Sequence, residues 1–194
     1  MGKRIMLVAG EASGDALGGP LMAALTEQSS EQPEFIGVGG SAMTAEGMAS
    51  LFPISDLSVM GLAEILPRLR LIFRRMKQTE TLARETRPDI IITIDSPGFN
   101  FRLGKRLKYL GIPLVHYVAP TVWAWKPGRA KKIAQFLDRL LVLLPFEPPY
   151  FEIEGLDCTF VGHSAVSHLP GDGPAFRDRH DISESAIVLG VLPG

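Results

Sequence analysis

Short aliphatic runs recur along the chain, and each is followed by a turn rich in Gly, Pro or Asp and then by a stretch with helical periodicity. The runs predict strands at residues 4–9, 34–38, 90–94, 113–118, 140–144 and 158–161. Helices are predicted at 14–27, 41–47, 67–86, 99–110, 128–136 and 146–154. Strands that alternate with helices need crossover connections, so the pattern predicts an α/β fold with a mostly parallel sheet and helices on both faces.

The pattern changes near residue 168. Residues 168–174 are rich in Gly and Pro and predict a linker, 177–184 has the composition of a charged helix, and 186–194 predicts a strand that runs into a turn. We therefore expect a first domain over 1–167, followed over 168–194 by a linker and the truncated start of a second domain.

Composition narrows the range of functions. The 194 residues are 46% apolar, which provides for an ample core, and the net charge of −1 argues against a general nucleic-acid binder. Cys158 is the single cysteine, and no His, Cys or carboxylate residues show metal-ligand spacing, so we predict no disulfide and no metal site. No apolar run is long enough to cross a bilayer, and we expect a protein that is soluble or lies on a membrane surface.

Asp95 is the strongest candidate for chemistry. It follows the buried strand predicted at 90–94, and Pro97 and Gly98 then turn the chain into the next helix. Because open α/β sheets bind ligands at the carboxyl ends of their strands, Asp95 is predicted to lie at a binding crevice. The alternative is that Asp95 orders the turn and caps the helix that starts near Pro97, and the sequence leaves both open.

Glycine-containing turns follow the first two predicted strands. Residues 10–15 read Gly-Glu-Ala-Ser-Gly-Asp, and residues 38–41 read Val-Gly-Gly-Ser. The first turn has neither the dinucleotide spacing G-x-G-x-x-G nor the Lys of a P-loop, so NAD and ATP are not supported. Hydroxyl groups of a ligand are the expected partners of Glu11 and Asp15, and an ordinary capped turn is the alternative.

The segment 57–77 combines an apolar helical face with a cluster of cations. Pro67 interrupts the pattern and predicts a short helix that ends at Leu66 and a longer one that starts at Pro67. Five cations within ten residues beside an apolar face suit an anionic membrane surface, and packing on the sheet with solvated charges is the alternative. The predicted membrane-facing residues are Leu62, Ile65, Leu66, Leu69, Ile72, Phe73, Arg68, Arg74 and Arg75.

Both tryptophans, Trp123 and Trp125, lie in a Pro-containing loop after the strand predicted at 113–118. Four cations follow closely: Lys126, Arg129, Lys131 and Lys132. The rings can form an amphipathic wall for an acyl chain or a sugar and the cations can meet a phosphate, or the rings simply pin the loop to the core. His116 and His163 each end a predicted strand, and the sequence leaves open whether either assists catalysis.

Seven short segments, taken in order, resemble one family: lipid-A-disaccharide synthase, a glycosyltransferase of lipid A biosynthesis, the lipid part of lipopolysaccharide in Gram-negative bacteria. Each segment is modest alone, but the ordered set is specific and covers the chain almost end to end. The segments are 10–15 (GEASGD), 37–40 (GVGG), 59–61 (VMG), 95–100 (DSPGFN), 122–125 (VWAW), 144–147 (LPFE) and 160–163 (FVGH).

The resemblance implies a two-domain GT-B glycosyltransferase with two Rossmann-like halves and no metal or other cofactor, of which this chain is the N-terminal, acceptor-binding half. It implies transfer from UDP-2,3-diacylglucosamine to 2,3-diacylglucosamine 1-phosphate (lipid X), giving the lipid A disaccharide 1-phosphate and UDP. The enzyme would be cytoplasmic and peripheral on the inner membrane. We expect the chain to be inactive alone, and a homo-oligomer is left open.

Carried onto this sequence, the resemblance implies that Asp95 is the base that takes the proton from the acceptor 6-hydroxyl. The residues implied to bind substrate are Glu11, Ser13, Gly14, Asp15, Gly39, Gly40, Ser96, Asn100, Trp123, Trp125, Glu147 and His163. Two other functions stay open. One is a different UDP-sugar enzyme of GT-B type, which would need no lipid, and the other is a stand-alone domain that binds a phospholipid or an anionic membrane.

Overall fold

The computed structural model describes residues 2–57, 62–126, 128–163, 166 and 171–191; the side chains of 62–67 lie outside this description. The chain divides into two compact units, Met1–His163 and Ser164–Gly194. No helix within the described residues is both long enough and apolar enough to cross a bilayer.

The first unit is built on one sheet of six parallel strands. In chain order these are β1 (Arg4–Ala9), β2 (Glu34–Val38), β3 (Ile90–Ile94), β4 (Leu114–Tyr117), β5 (Arg139–Val142) and β6 (Asp157–Phe160). The spatial order is β2-β1-β3-β4-β5-β6, and every pair is parallel. The prediction of a Rossmann-like parallel sheet is therefore confirmed, and β1, β2 and β3 have the predicted bounds.

The helices connect these strands across the sheet. They are α1 (Ala12–Gln28), α2 (Ser41–Ala45), α3 (Leu62–Thr86), α4 (Pro97–Leu107), α5 (Gly128–Ala134) and α6 (Pro148–Glu152), and the second unit contains α7 (Gly173–Arg179). Two single-turn 3₁₀ helices lie at Ile54–Asp56 and Lys108–Leu110.

Successive residues of β1 enter two separate apolar cores. Met6 and Val8 belong to the core under α3 to α6, whereas Leu7 and Ala9 belong to the core under α1 and α2. Because side chains of a strand alternate between the two sides of a sheet, this division places helices on both faces, as predicted.

The predicted break at Pro67 is wrong. One helix, α3, runs from Leu62 to Thr86 with Pro67 as its sixth residue. Pro67 lies in the second turn of α3, where it removes one backbone hydrogen bond, and the following turns keep theirs. Met76, Thr79 and Ala83 are buried further along, and their packing against the sheet stabilises the helix as a whole.

The strand predicted at the end of the chain is also wrong over residues 186–191, which form no regular structure; residues 192–194 lie outside the described residues. Ile187 is 98% exposed and Leu189 85% exposed. An aliphatic run becomes a strand only where another strand pairs with its backbone, and no described residue does so here. The helix predicted at 177–184 instead spans Gly173–Arg179, so residues 180–184 are not helical. The Asp172 carboxylate caps its start by accepting the backbone N–H of Ala175 at 3.0 Å.

Candidate active site

The strand order reverses direction between β1 and β3. The chain moves from β1 outward to β2 on one side and then returns to β3 on the other side. The loops that leave β1 and β3 therefore diverge at the carboxyl edge of the sheet, which is where α/β folds of this kind form a binding crevice. Gly10 and Glu11 follow β1, and Asp95 and Ser96 follow β3.

Asp95 is held at this crevice in an unusual backbone conformation. Its φ angle is +51° and that of Ser96 is +44°, a left-handed region that costs residues other than glycine about 1–3 kcal/mol each. Such strain persists where the surroundings fix the backbone, and it is concentrated at functional sites. The backbone N–H of Asp95 donates to the carbonyl of Tyr117 in β4 at 2.9 Å, which is one of the fixing contacts.

The carboxylate of Asp95 is half-buried and makes one hydrogen bond. The hydroxyl of Ser13 donates to Asp95 Oδ2 at 2.8 Å, and Oδ1 accepts no hydrogen bond from the described residues. Neither Asp95 nor Ser96 caps α4 through its side chain. The carboxylate is therefore oriented by α1 and keeps one oxygen for a ligand, which is unlike the capping role left open by the sequence.

Asn100 supports Asp95 from beneath. It is 1% exposed, and its amide nitrogen donates to the carbonyls of Asp95 at 2.8 Å and Ile94 at 3.0 Å, with Val8 in β1 at 3.3 Å. These bonds join the carboxyl ends of β1 and β3 and fix the left-handed turn. Asn100 is therefore buried among backbone carbonyls, and its predicted contact with substrate stays a prediction.

Close packing of the two loops requires glycine at position 10. A β-carbon built on Gly10 would lie 2.4 Å from Ser96 Oγ, closer than atoms can approach without displacement. The absence of a side chain lets the turn after β1 lie against the turn after β3. This contact brings Ser13 within hydrogen-bond distance of Asp95, which is 82 residues away in sequence.

Asp15, in the same motif, makes structural contacts, and its predicted role in substrate binding stays a prediction. Its buried carboxylate accepts three backbone N–H groups, from Gly40 at 2.7 Å, Ala42 at 2.9 Å and Met43 at 3.1 Å. It thereby orders the first turn of α2 and draws the glycine pair after β2 against α1. The same contact limits position 40 to glycine, since a β-carbon there would lie 2.6 Å from Asp15 Oδ2.

A pocket of about 300 Å³ adjoins the Asp95 turn. Glu11 and Ser96 supply polar groups to its wall, and α4 adds Gly98 and Arg102. The remaining lining residues are apolar and come from the loop before α3, from α3 and from α4: Leu57, Leu69, Ile72, Phe73, Met76 and Phe99. The sequence did not indicate Leu57, Phe99 or Arg102 as site residues, because the loop before α3 and the helix α4 meet at the pocket only through tertiary packing. The pocket can hold an apolar chain next to the turn that contains Asp95 and Ser96.

The predicted membrane-facing residues of α3 divide into groups. Leu69 and Ile72 are half-buried in the pocket wall, whereas Phe73 is 53% exposed. Arg68 and Arg74 are exposed, but Arg75 pairs with Asp56 at 2.5 Å and lies over the ring of Phe52. The side chains of Leu62, Ile65 and Leu66 are outside the described residues.

The remaining predicted residues follow β4, β5 and β6 at the same carboxyl edge. Trp123 is exposed and packs edge-on against Phe146 at 5.3 Å, and Lys126 lies 4.2 Å from the ring centre of the exposed Trp125. Glu147 is buried, and its carboxylate accepts the backbone N–H of Leu144 at 3.0 Å, which orders the turn after β5. His163 is exposed in the loop after β6.

His116 in β4 is fully buried. Its Nδ1 lies 2.8 Å from the hydroxyl of Thr93, and its Nε2 has no hydrogen-bond partner among the described residues. Burial lowers the pKa of His116 from its usual 6.5 to about 4, and the nearby charge of Asp95 opposes this shift only in part. His116 is therefore a neutral core residue near pH 7.

We expect this histidine to make the fold sensitive to acid. Because the folded-state pKa is below the unfolded value, protons bind preferentially to the unfolded chain, so stability present above pH 6.5 is lost as the pH falls towards 4. The difference corresponds to about 3 kcal/mol. His116→Gln should flatten the fall in unfolding free energy between pH 6.5 and 4, measured by urea unfolding. His180→Gln, directly after α7, should not, and equal slopes for the wild type and both variants would contradict this assignment.

No three or more His, Cys, Asp or Glu side chains converge as a metal site in the part of the chain that the structure describes.

Comparison with known proteins decides the family. The family model described as lipid-A-disaccharide synthetase matches residues 5–194. The chain belongs to this family. Named relatives agree: the lipid-A-disaccharide synthase of Rhodospirillum centenum is 57% identical over 194 residues, and that of Paramagnetospirillum magneticum is 54% identical.

These alignments cover 98% of this chain but 48% and 50% of the two relatives, so the chain spans about half the length of the curated synthases it matches. Solved structures agree on the fold. A Staphylococcus aureus MnaA–UDP co-structure superposes with a TM-score of 0.65 at 16% identity, over 92% of this chain and 51% of that one. The UDP-GlcNAc 2-epimerase of Neisseria meningitidis bound to UDP-GlcNAc has a TM-score of 0.60 at 10% identity, over 84% and 47%.

Proposed function

We propose that this chain is the acceptor-binding half of an inverting glycosyltransferase that joins UDP-2,3-diacylglucosamine to 2,3-diacylglucosamine 1-phosphate (lipid X). The products are the lipid A disaccharide 1-phosphate and UDP. The observation that carries the proposal is the half-buried carboxylate of Asp95 at the strand-order reversal, in the turn whose next residue, Ser96, lines a pocket with apolar walls. Family membership supports the reaction.

Asp95 acts as the general base. The 6-hydroxyl oxygen of the acceptor attacks the anomeric carbon of the donor while its proton passes to the carboxylate. The bond from the anomeric carbon to the phosphate oxygen breaks, and its electron pair leaves with UDP. Ser13 holds Oδ2 through its hydroxyl, so Oδ1 is the oxygen that receives the proton. Attack from the face opposite UDP inverts the configuration.

The pocket beside Asp95 binds an acyl chain of the acceptor. Leu69, Ile72 and Phe99 provide apolar walls, while Glu11 and Ser96 provide hydrogen-bonding groups for the sugar. We propose Glu11, Trp123, Trp125 and His163 as further substrate contacts, because they share this edge of the sheet. Gly14, Asp15, Asn100 and Glu147 act through the fold that surrounds the site.

The reaction is tested by product analysis. The chain, alone and joined to the part of the Rhodospirillum centenum relative that it does not cover, is incubated with lipid X and UDP-2,3-diacylglucosamine, and the products are identified by mass spectrometry. We expect the disaccharide 1-phosphate and UDP from the joined protein and not from the chain alone. Turnover of UDP-N-acetylglucosamine without any lipid would instead favour a different UDP-sugar enzyme.

We also propose that α3 places the protein on the cytoplasmic face of the inner membrane. Phe73, with the exposed cations Arg68 and Arg74, forms an apolar and basic surface at the mouth of the acyl pocket. A lipid substrate can then pass from the bilayer to Asp95 without crossing water.

Phe73→Ser should weaken binding to vesicles of phosphatidylglycerol and phosphatidylcholine by about 10- to 100-fold, since burial of a phenylalanine side chain contributes about 1.5–3 kcal/mol. Co-sedimentation measures the change. Ile153→Ser is the matched control, because Ile153 is exposed in the turn between α6 and β6, away from α3. Equal losses in both variants would refute membrane contact through α3.

A further inference from the structure

A second pocket, of about 220 Å³, lies between α4 and α5. Four of its lining residues are cations: Arg102 and Lys105 from α4, and Arg129 and Lys132 from α5. Each pair is spaced three residues apart, which places both members on one face of their helix. The other lining residues are Pro97, Gly98, Phe101, Ile133 and Phe136, so no carboxylate of the described residues lines this pocket.

These cations lack the partners that their neighbours have. On α4 and just after it, Arg106 pairs with Glu80 at 3.3 Å and Lys108 pairs with Asp138 at 2.7 Å. Arg102 instead donates to the backbone carbonyl of Gly98, and Lys105 lies 5.9 Å from the ring centre of Phe136. None of the four pocket cations forms an ion pair with a carboxylate of the described residues. In a chain with a net charge of −1, this is a local concentration of uncompensated positive charge.

The shape and the walls of the pocket select a small dianion. Phe101, Phe136 and Ile133 are buried aromatic and aliphatic residues that lower the local dielectric constant, which strengthens attraction between the cations and an anion. A phosphomonoester carries nearly two negative charges near pH 7 and offers three oxygens to such a cluster. A phosphodiester carries only one charge. A nucleic acid would require a broad basic surface, and a net charge of −1 gives the chain no overall positive field.

The two pockets adjoin. Gly98 and Arg102 line both, so the cationic pocket and the apolar pocket meet across the first turns of α4. A molecule with an acyl chain in one pocket and a phosphate in the other would have its body beside the start of α4, next to Asp95. This arrangement matches an acylated sugar phosphate.

We infer that the pocket formed by Arg102, Lys105, Arg129 and Lys132 binds the 1-phosphate of the acceptor and thereby distinguishes the acceptor from the donor sugar. The inference rests on the proposed function for the identity of the acceptor. The four residues bind and orient substrate, whereas Asp95 performs the proton transfer.

Binding to the 194-residue chain tests the pocket without any need for turnover. Glucosamine 1-phosphate and glucosamine are titrated into labelled protein, and the shifts of backbone amide signals in α4 and α5 are followed by NMR. K105Q/K132Q removes two pocket cations. R106Q/K131Q is the matched control, because it removes two cations one position along the same helices and outside the pocket.

We expect glucosamine 1-phosphate to bind wild-type and control protein with the same Kd and to bind K105Q/K132Q about 10- to 100-fold more weakly, as for loss of charge-assisted hydrogen bonds. Glucosamine should bind all three proteins equally weakly. Equal Kd values of glucosamine 1-phosphate for the two double variants would overturn the inference, as would saturable binding of glucosamine as tight as that of its phosphate. Melting temperatures are compared to confirm that both variants are folded.

Vesicles distinguish the acceptor phosphate from a lipid headgroup. Phosphatidylglycerol vesicles should bind both double variants to the same extent, since both lose two positive charges. Selective loss of vesicle binding in K105Q/K132Q, with unchanged binding of glucosamine 1-phosphate, would reject the acceptor site in favour of a headgroup site.

The joined protein described above separates this inference from the reaction itself. Relative to R106Q/K131Q, K105Q/K132Q should raise KM for lipid X about 10- to 100-fold and keep kcat within about threefold. The reason is that the lost phosphate contacts stabilise bound substrate and transition state equally. A wild-type protein that binds glucosamine 1-phosphate through this pocket but forms no disaccharide would refute the proposed reaction and leave the phosphate site standing. Disaccharide formation with KM unchanged in K105Q/K132Q would refute the phosphate site alone.

Discussion

Asp95→Asn in the joined protein is expected to lower kcat by about 100- to 10,000-fold, the usual contribution of a positioned general base. Asparagine has nearly the same size and can still accept the hydrogen bond from Ser13, so the turn after β3 should keep its geometry. It cannot take the proton from the acceptor hydroxyl. KM for lipid X should change little, because the acyl and phosphate pockets are untouched.

The rate of disaccharide formation at saturating substrate measures this effect. Asp89→Asn is a suitable control, since it also removes one carboxylate charge. Asp89 directly precedes the first residue of β3, at the end of the strand opposite Asp95, and accepts the backbone N–H of Arg4 at 2.8 Å. That variant should turn over at the wild-type rate when folded. Normal turnover of Asp95→Asn would show that Asp95 is a turn residue and that another group accepts the proton.

Asp15→Asn is expected to lower the free energy of unfolding by about 3 kcal/mol, because hydrogen bonds to a charged group contribute about 1.5–3 kcal/mol each and three of them converge on this carboxylate. The asparagine side chain has one acceptor oxygen, and its amide group would face backbone N–H groups that need an acceptor. The start of α2 and the glycine pair after β2 should therefore loosen together.

Urea unfolding of the chain, followed by circular dichroism, measures this loss. Glu11→Gln lies in the same motif, but its side chain is exposed and makes no capping hydrogen bond to α1, so its unfolding free energy should change by less than about 0.5 kcal/mol. If Asp15→Asn kept wild-type stability and instead raised KM for substrate, Asp15 would be a substrate contact, as its place in the motif had indicated.

The two variants separate roles that look alike in the motif. Glu11, Ser13 and Asp15 are polar residues within five positions of each other. In the structure Glu11 lines the apolar pocket, Ser13 binds Asp95 and Asp15 binds the backbone of α2. Which partner each residue finds depends on the loops that pack against α1, and those loops come from distant parts of the chain.

The parallel sheet followed from the sequence, since strands buried on both faces are short aliphatic runs, and here turn residues separate each run from a longer helical pattern. The bounds of β4, β5 and β6 differ from the predicted ones by one or two residues. The runs at β1, β2 and β3 ended at the predicted residues. Two predictions made from local sequence alone were wrong. Pro67 does not break the helix but lies inside α3, and the aliphatic run at 186–191 forms no strand because it has no partner strand among the described residues.

The position of Asp95 also followed from sequence, because a residue directly after a parallel strand lies at the carboxyl edge of the sheet whatever the rest of the chain does. The order of residues along the chain is therefore enough to predict that Asp95 lies at this edge. Three features could not be predicted in this way: the hydrogen bond from Ser13 to Asp95, the acyl pocket and the cationic pocket. They join residues of α1, α3, α4 and α5 that are far apart in sequence, and their distances depend on how each crossover helix packs on the sheet. Side chains that share no periodic pattern can meet only through that packing, so the folded structure was needed to find them.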